Sequence, residues 1–427
     1  MSIAAAAIGG VYYFIIAVNF KPPIHPHTQF DGNSLGNRNF FGQDRLIPAL
    51  RLLLQNFIQI HSVGGNGYFS AGRYDFAEQT AGTALKERLK KTLDKQFCCV
   101  ILSGITKELF MDDKQFEIFY RSSADDSMQP ALLQKARSSE PRPLLVALHT
   151  WSNDHFSCSW ETYRACCEEL DWHLIYPAFR GPNTRPEACG SDLVVKDIVS
   201  AQEYAQSVCN VDEKLIYLAG GSGGGHAALL LAGRHPELWT AVSAWCPISD
   251  IAAWHKECES HCRNYHDHIE LVCQGDPQTN EAARTEAIKR SPITYLASAA
   301  GKTVIDISTG IHDGHTGSVP VSQSFRAYNL LCLPSDRFTD DEIAFMTANE
   351  EIPEHLKYTG ANEETFAEKP ILLRRTSGAV RITIFEGGHN ILAGAACAWL
   401  ANQQKAMIPD WQLCRSITID RAEELAH

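Results

Sequence analysis

Basic side chains are in short supply: 38 Lys and Arg stand against 50 Asp and Glu, a net charge of −12 over 427 residues. A nucleic-acid backbone would meet net repulsion rather than a basic track, so no nucleic-acid partner is expected. Charge is absent altogether from residues 1–20, and the apolar run inside them, 11–18, is short for a membrane span. With no positive n-region the segment is also incomplete as a secretory signal. It reads either as a signal-like leader or anchor, or as a buried or unstructured terminus. Secretion or membrane anchoring is expected only if it acts as a leader or anchor, and a cytoplasmic location otherwise. Repeats are missing too, which excludes solenoid and propeller architectures. The 14 cysteines do not settle the redox compartment. The chain is far too long to need a disulfide framework, and Cys98-Cys99 and Cys166-Cys167 are adjacent pairs.

What is present is ordinary for a folded protein: 44% hydrophobic and 21% charged residues argue for a conventional core and against long disorder. A chain of this length suggests one large domain with additions. Residues 21–95 read as an N-terminal extension, with helix-prone stretches at 45–60 and 83–95. The second carries Lys86, Lys90, Lys91 and Lys95, an arrangement expected of a solvated face.

From residue 96 to the C-terminus strands and helices alternate. Strands are expected at 98–103 and 115–120, antiparallel to each other, then at 144–148, 174–176, 215–219, 240–245, 303–308 and 380–385. Helices are expected at 160–170, 192–207 and 224–233. The alternation implies a mostly parallel sheet covered by helices on both faces. Two long polar stretches, about 250–298 and 331–375, interrupt it and read as lid-like insertions.

The chemistry concentrates at the ends of these strands. Gly220-Gly221-Ser222-Gly223-Gly224 fits G-x-S-x-G between an expected strand and an expected helix, the setting of a nucleophile elbow. Glycine at 220 and 224 removes side chains that would collide with the packed strand and helix. A phosphate-binding turn would call for a Lys-Ser or Lys-Thr pair or a downstream ribose-binding acid, and Gly225-His226 follows instead. A serine needs a base. His389 is the candidate, because it stands on the turn Glu386-Gly387-Gly388-His389 that ends strand 380–385, later in the chain than the serine. The acid is expected after the preceding strand, where Asp313 stands. Asp306 is its rival but lies inside the strand, and His312 and His315 read as loop residues. An oxyanion needs two N–H donors. The backbone of Gly223 supplies one, and the loop His149-Thr150-Trp151-Ser152 the other, from Trp151 or else Thr150. A run of His255, Cys258, His261, Cys262, His266 and His268 is metal-like in composition but lacks a second ligand pair at finger-like spacing, and no metal is expected there.

These stretches, with Pro143 to Trp151, the run from Tyr176 to Gly181 and Ser318-Val319-Pro320, make the chain resemble the prolyl oligopeptidase-like branch of the α/β-hydrolases over roughly residues 105–405. The resemblance implies an α/β-hydrolase fold, a Ser-Asp-His triad, and neither metal nor organic cofactor. It implies peptidase, acylaminoacyl-releasing or carbohydrate-esterase activity. Two departures stand out: residues 1–95 are too few for the β-propeller of the peptidases, and the gap between Asp313 and His389 is longer than the family usually shows. The expectation is a serine hydrolase acting on a small ester or short peptide, with short acyl esters, including those of carbohydrates, preferred over peptides. A catalytically silent binding protein on the same fold is the reading of another class.

Overall fold

The computed structural model describes the backbone at 2–8 and 11–17 and then residues 116–361, 366, 369–405 and 408–411. The chain divides into two units, Met1–Leu89 and Lys90–His427. In the first, β1 (Ser2–Ile8) and β2 (Val11–Ala17) pair antiparallel as a hairpin, so the apolar run is drawn as strand rather than helix. Among the described residues no helix is long and apolar enough to cross a membrane. The helices expected at 45–60 and 83–95, the strand at 98–103 and the boundary near residue 95 lie outside the described residues.

The second unit holds a sheet of nine strands: β3 (Glu117–Arg121), β4 (Met128–Gln134), β5 (Arg142–Leu148), β6 (His173–Pro177), β7 (Val211–Gly221), β8 (Ala241–Trp245), β9 (Val304–Gly310), β10 (Ile371–Ser377) and β11 (Val380–Phe385). Their spatial order is β10-β11-β9-β8-β7-β5-β6-β4-β3. The six strands from β11 to β6 run parallel, and antiparallel strands close each edge. This arrangement, with helices on both faces, is the α/β-hydrolase fold.

Two strands were not anticipated. β4 carries Pro130 and residues that favour helix, yet its pairing with β6 begins only at Ala131, so the missing N–H of the proline costs no bond there. β10 takes up the end of the stretch 331–375, which is therefore not wholly insertion. A register shift between Ile371 and Leu373 sends these two residues into different cores, and Arg375 stacks over Phe338.

The central strands read as apolar runs because both faces are covered. Leu144, Val146 and Leu148 of β5 join Ile175 and Leu218 in one core, whereas Leu145 and Ala147 join Leu174, Tyr176 and Tyr217 in the other. The first core is closed by α2 (Asp192–Val208), α3 (Gly223–Arg234) and α7 (Ser322–Leu331), the second by α1 (Ser159–Leu170) and α9 (Ala393–Leu400). Ser191 starts α2 by accepting from the Val194 N–H.

The stretch 250–298 folds into α4 (Ile251–Ser260), α5 (Tyr265–Cys273), α6 (Glu281–Arg290) and two 3₁₀ turns. It forms a core of its own around Ile251, Trp254, Ile269, Val272 and Ala287, which also takes in Trp151 and Val319. Residues 334–361 hold α8 (Asp340–Asn349), begun by a Thr339/Glu342 capping box. The eleven described cysteines are free thiols.

Asp306 lies within β9, and its Oδ1 accepts from Arg381 Nε on neighbouring β11 at 2.6 Å, both residues being 2% exposed. Removing the cation alone strands a buried carboxylate. Arg381→Leu should therefore cost about 3–5 kcal/mol in urea unfolding, and Asp306→Asn in the same chain should recover part of it. An equal loss in single and double variants would contradict this pairing.

Candidate active site

Parallel strands deliver their C-terminal ends to one edge of the sheet, and the chemistry-bearing residues follow five of them. Ser222 follows β7, Trp151 follows β5, Cys246 follows β8, Asp313 follows β9 and His389 follows β11.

Ser222 sits at φ 56°, ψ −120°, directly before the first helical residue of α3. Its own N–H donates to the Trp245 carbonyl at 2.8 Å, tying the turn to β8. A Cβ on Gly224 would fall 2.3 Å from the Leu148 carbonyl oxygen, and one on Gly220 would fall 2.4 Å from the Gly224 oxygen. These are backbone contacts that no rotamer can relieve, so the turn requires glycine at both places. Gly223 begins α3, where an N–H has no partner inside the helix. A Cβ there would lie 2.5 Å from the Trp151 nitrogen, so the two amides named in the sequence for an oxyanion are close neighbours. Thr150 instead turns its hydroxyl to Asn153 Nδ2 at 2.6 Å. His149, fully buried and stacked on Phe179 at 3.8 Å between centroids, holds this loop by facing the carbonyls of Thr150 and Ala178.

His389 Nδ1 meets Asp313 Oδ2 at 2.7 Å, with the carboxylate fully buried. The other oxygen, Oδ1, accepts from the N–H groups of Gly314 and Val319, both at 3.0 Å. The carboxylate is thus oriented by two amides on one side and the imidazole on the other. Burial of the ring works against its charged form. The Asp313 carboxylate outweighs that, and the His389 pKa stands well above the usual histidine range.

Asp306, at its distance down the strand, is engaged with Arg381. His312 bridges Glu350 and Glu386 through its two ring nitrogens, at 2.8 and 2.7 Å, and so fastens the acid loop to α8 and to the histidine turn. His315 Nε2 faces the Thr347 carbonyl.

Three residues of the site carry no sequence motif. Cys246 is buried, adopts φ 44° and directs its thiol to the Asn390 carbonyl, beside Asp313 and His389. Asn183 donates its N–H to the Trp151 carbonyl at 2.9 Å and takes up the Cys189 N–H with its side-chain oxygen. At Gly317 a Cβ would lie 2.3 Å from Asp313 Oδ1 and 2.5 Å from His389 Cβ. Only the position of Cys246, at the end of a strand between β7 and β9, offered a signal in advance.

The aromatic residues of the first insertion do not form an open platform. Trp151 and Trp254 meet edge to face at 4.7 Å and are 2% and 1% exposed, Trp254 Nε1 donates to the Ser318 carbonyl, and Tyr265 packs on both. Tyr295 lies under Arg234. The metal-like run is dispersed: Cys258 is in the core, His261 and Cys262 are exposed, and His268 accepts from Trp151 Nε1 at 3.3 Å.

A glycine-flanked serine at a strand-to-helix turn and a buried Asp-His pair lie on the same edge of an α/β-hydrolase sheet, the arrangement found in serine hydrolases. The chain is similar to the prolyl oligopeptidase family, whose model matches residues 191–358. The acylamino-acid-releasing enzymes of Rattus norvegicus and Mus musculus are each 24% identical over 228 residues, 49% of this chain and 29% of theirs. The chain thus spans under a third of the length of these curated relatives. Among solved structures, an acylaminoacyl peptidase of Pyrococcus horikoshii aligns over 70% of this chain and 43% of its own, with 14% identity and a TM-score of 0.44. An acetyl xylan esterase of Paenibacillus sp. R4 aligns over 50% and 73%, with 18% identity and a TM-score of 0.41.

The raised pKa of His389 has a direct consequence. Its imidazole should keep the proton above the ordinary value of about 6.5 in an NMR titration, and Asp313→Asn should move the midpoint down. The stabilisation from this pair is then complete below the ordinary histidine pKa and lost as pH rises through the folded value. Gly317→Ala, by displacing the carboxylate, should lower the midpoint in the same direction. A midpoint indifferent to both substitutions would separate His389 from Asp313.

Proposed function

We propose that Ser222, His389 and Asp313 act as a catalytic triad and that the protein hydrolyses esters of short carboxylic acids. The Ser222 hydroxyl attacks the carbonyl carbon, and its proton passes to His389 Nε2 while Asp313 accepts from Nδ1–H and stabilises the imidazolium. The oxyanion is taken by the N–H groups of Gly223 and Trp151. Return of the proton to the departing alkoxide leaves an acyl-serine, and water activated by the same imidazole releases the acid and restores the hydroxyl.

The observation that carries the preference for a short acyl group is the enclosure of the serine. Ser222 is 5% exposed and His389 9%. Trp151 lies against Gly223 on one side, and Ile391 lies against Gly221 on the other, within 2.3 Å of where a Cβ would be. Two chemical arguments favour an ester over an amide. An alkoxide departs more readily than an amine. In addition, Glu257 of the first insertion, an acid that could meet a substrate's free amino group, is committed to Gln323 and Arg326. The family match supports the second reading, a peptidase of aminoacyl or short peptide substrates. Trp151 and Trp254 are buried and offer no face to a sugar ring, so a carbohydrate alcohol rests on the resemblance alone.

Ser222→Ala and His389→Ala should each abolish nearly all turnover, with the double variant hardly worse, because the residues act as one unit. Asp313→Asn should lower kcat by up to about 10⁴ and Asp306→Asn should leave kcat nearly unchanged in the folded fraction. Activity should rise with pH through an ionisation above the ordinary histidine value, since the base must be neutral. Additive losses, or failure of a fluorophosphonate to label Ser222 in folded protein, would remove the enzyme reading and leave a binding protein. On substrates, kcat/KM should fall as nitrophenyl esters lengthen from acetate to octanoate, and an acetylated sugar should exceed an aminoacyl anilide. A higher kcat/KM for the anilide would overturn the ester assignment in favour of the peptidase.

A further inference from the structure

The helical segment beside the site contains a donor set with no part in the proposed mechanism. His255 on α4, Glu270 on α5 and Asp276 just beyond α5 each offer one ligand atom, all within 4.8 Å of one another. The turn that brings Asp276 back is set by Gln274 at φ 60° and Gly275 at φ 150°. The His255 ring is 1% exposed. Its Nε2 meets Glu270 Oε1 at 3.1 Å, whereas its Nδ1 has no hydrogen-bond partner and faces Asp276 Oδ1 at 3.7 Å. A second imidazole, His266, stands one helical turn before Glu270 on the same face of α5. Its ring lies 6.1 Å from that of His255, and its Nδ1 stands 3.4 Å from Asp267 Oδ1. The two carboxylates keep 42% and 31% of their side chains exposed, so an ion can enter from solvent while the imidazole stays fixed.

We propose that His255, Glu270 and Asp276 bind a divalent transition-metal ion, zinc being the best match. An imidazole with two carboxylates is a zinc-type donor set, and its nitrogen ligand is one that calcium and magnesium sites do not use. Zinc held at about 2.0–2.2 Å from each donor places neighbouring donors roughly 3.4 Å apart. The ion takes a single ring nitrogen of His255, Nδ1, whose 3.7 Å gap to Asp276 Oδ1 closes by a few tenths of an ångström, and the half-exposed Glu270 carboxylate leaves Nε2 and turns to the same ion. The ion would join α4, α5 and the turn that leads from α5 to α6, within the segment that packs on Trp151. It would take no part in bond making, since neither His255 nor Glu270 belongs to the triad.

The test uses the full chain, stripped with a chelator, incubated with zinc chloride and desalted. The wild type should retain one zinc per chain and show a raised Tm. Glu270→Gln with Asp276→Asn should weaken zinc binding at least about tenfold and abolish the Tm shift, while the circular dichroism spectrum and fluorophosphonate labelling of Ser222 stay as in the wild type. These half-exposed carboxylates are chosen because replacing buried His255 would itself perturb the core. Wild-type protein without stoichiometric zinc would overturn the proposal and leave His255 as an imidazole held between two carboxylates. Zinc retained undiminished in the double variant would overturn it too, by moving the ion to another set such as Cys246, Asp313 and His389.

Discussion

The site hangs on one close backbone approach, the first turn of α3 against the end of β5. Gly224 lies so near the Leu148 carbonyl that not even a methyl group fits between them, and nothing in the surrounding sheet can give way, because both strands on either side of that contact are buried on two faces. Bringing the helix this close leaves Ser222 no relaxed conformation. Its φ of 56° costs on the order of 1–3 kcal/mol, borne by the packing of α3, whose residues from Gly223 to Gly233 are buried. The same approach sets Gly223 beside Trp151. Nucleophile and amide pair are therefore consequences of a single packing contact, and a sequence able to make it needs glycine on both sides of the serine.

The two aspartates of the β9 region illustrate how position decides role. Asp306 and Asp313 are both buried and each meets a nitrogen at 2.6 or 2.7 Å. Asp306, inside the strand, meets a guanidinium that cannot lose its proton and so can only hold β9 to β11. Asp313, beyond the strand's end, meets an imidazole that can, with two backbone amides fixing its angle. Only the second pair has a cation that can give up its proton, which is what the proposed mechanism asks of it.

Much of this was legible in the residues alone, for stated reasons. The central strands are short apolar runs because both faces are covered. The elbow and the histidine turn announce themselves because tight turns at strand ends need glycine. The edges were less legible: β4 hides behind Pro130 and its helix-forming neighbours, and β10 looks like part of a polar insertion because Arg374, Arg375, Thr376 and Ser377 make half of it polar. Gly317, Cys246 and Asn183 escaped because their importance lies in what approaches them from distant segments. The fold disperses the run of histidines and cysteines, sending Cys258 into the core and setting His255 and His266 against carboxylates from α5 and the turn after it.

The first insertion links these features. Its core holds Trp254 against Trp151, and Arg263 reaches the carbonyls of Gly314 and His315 on the acid loop. Trp254 Nε1 bonds to the Ser318 carbonyl, next to Val319, whose N–H orients Asp313. One helix, α4, thus touches Trp151, whose amide is the proposed oxyanion donor, and the segment that braces Asp313, and His255 is the next residue along that helix. Successive residues on a helix point about 100° apart, so Trp254 faces the site while His255 faces α5. Any constraint on His255 therefore fixes the rotation of α4, and with it the ring that supports Trp151. Rigid support of this kind is what an oxyanion site requires, since its donors must be in place before charge develops.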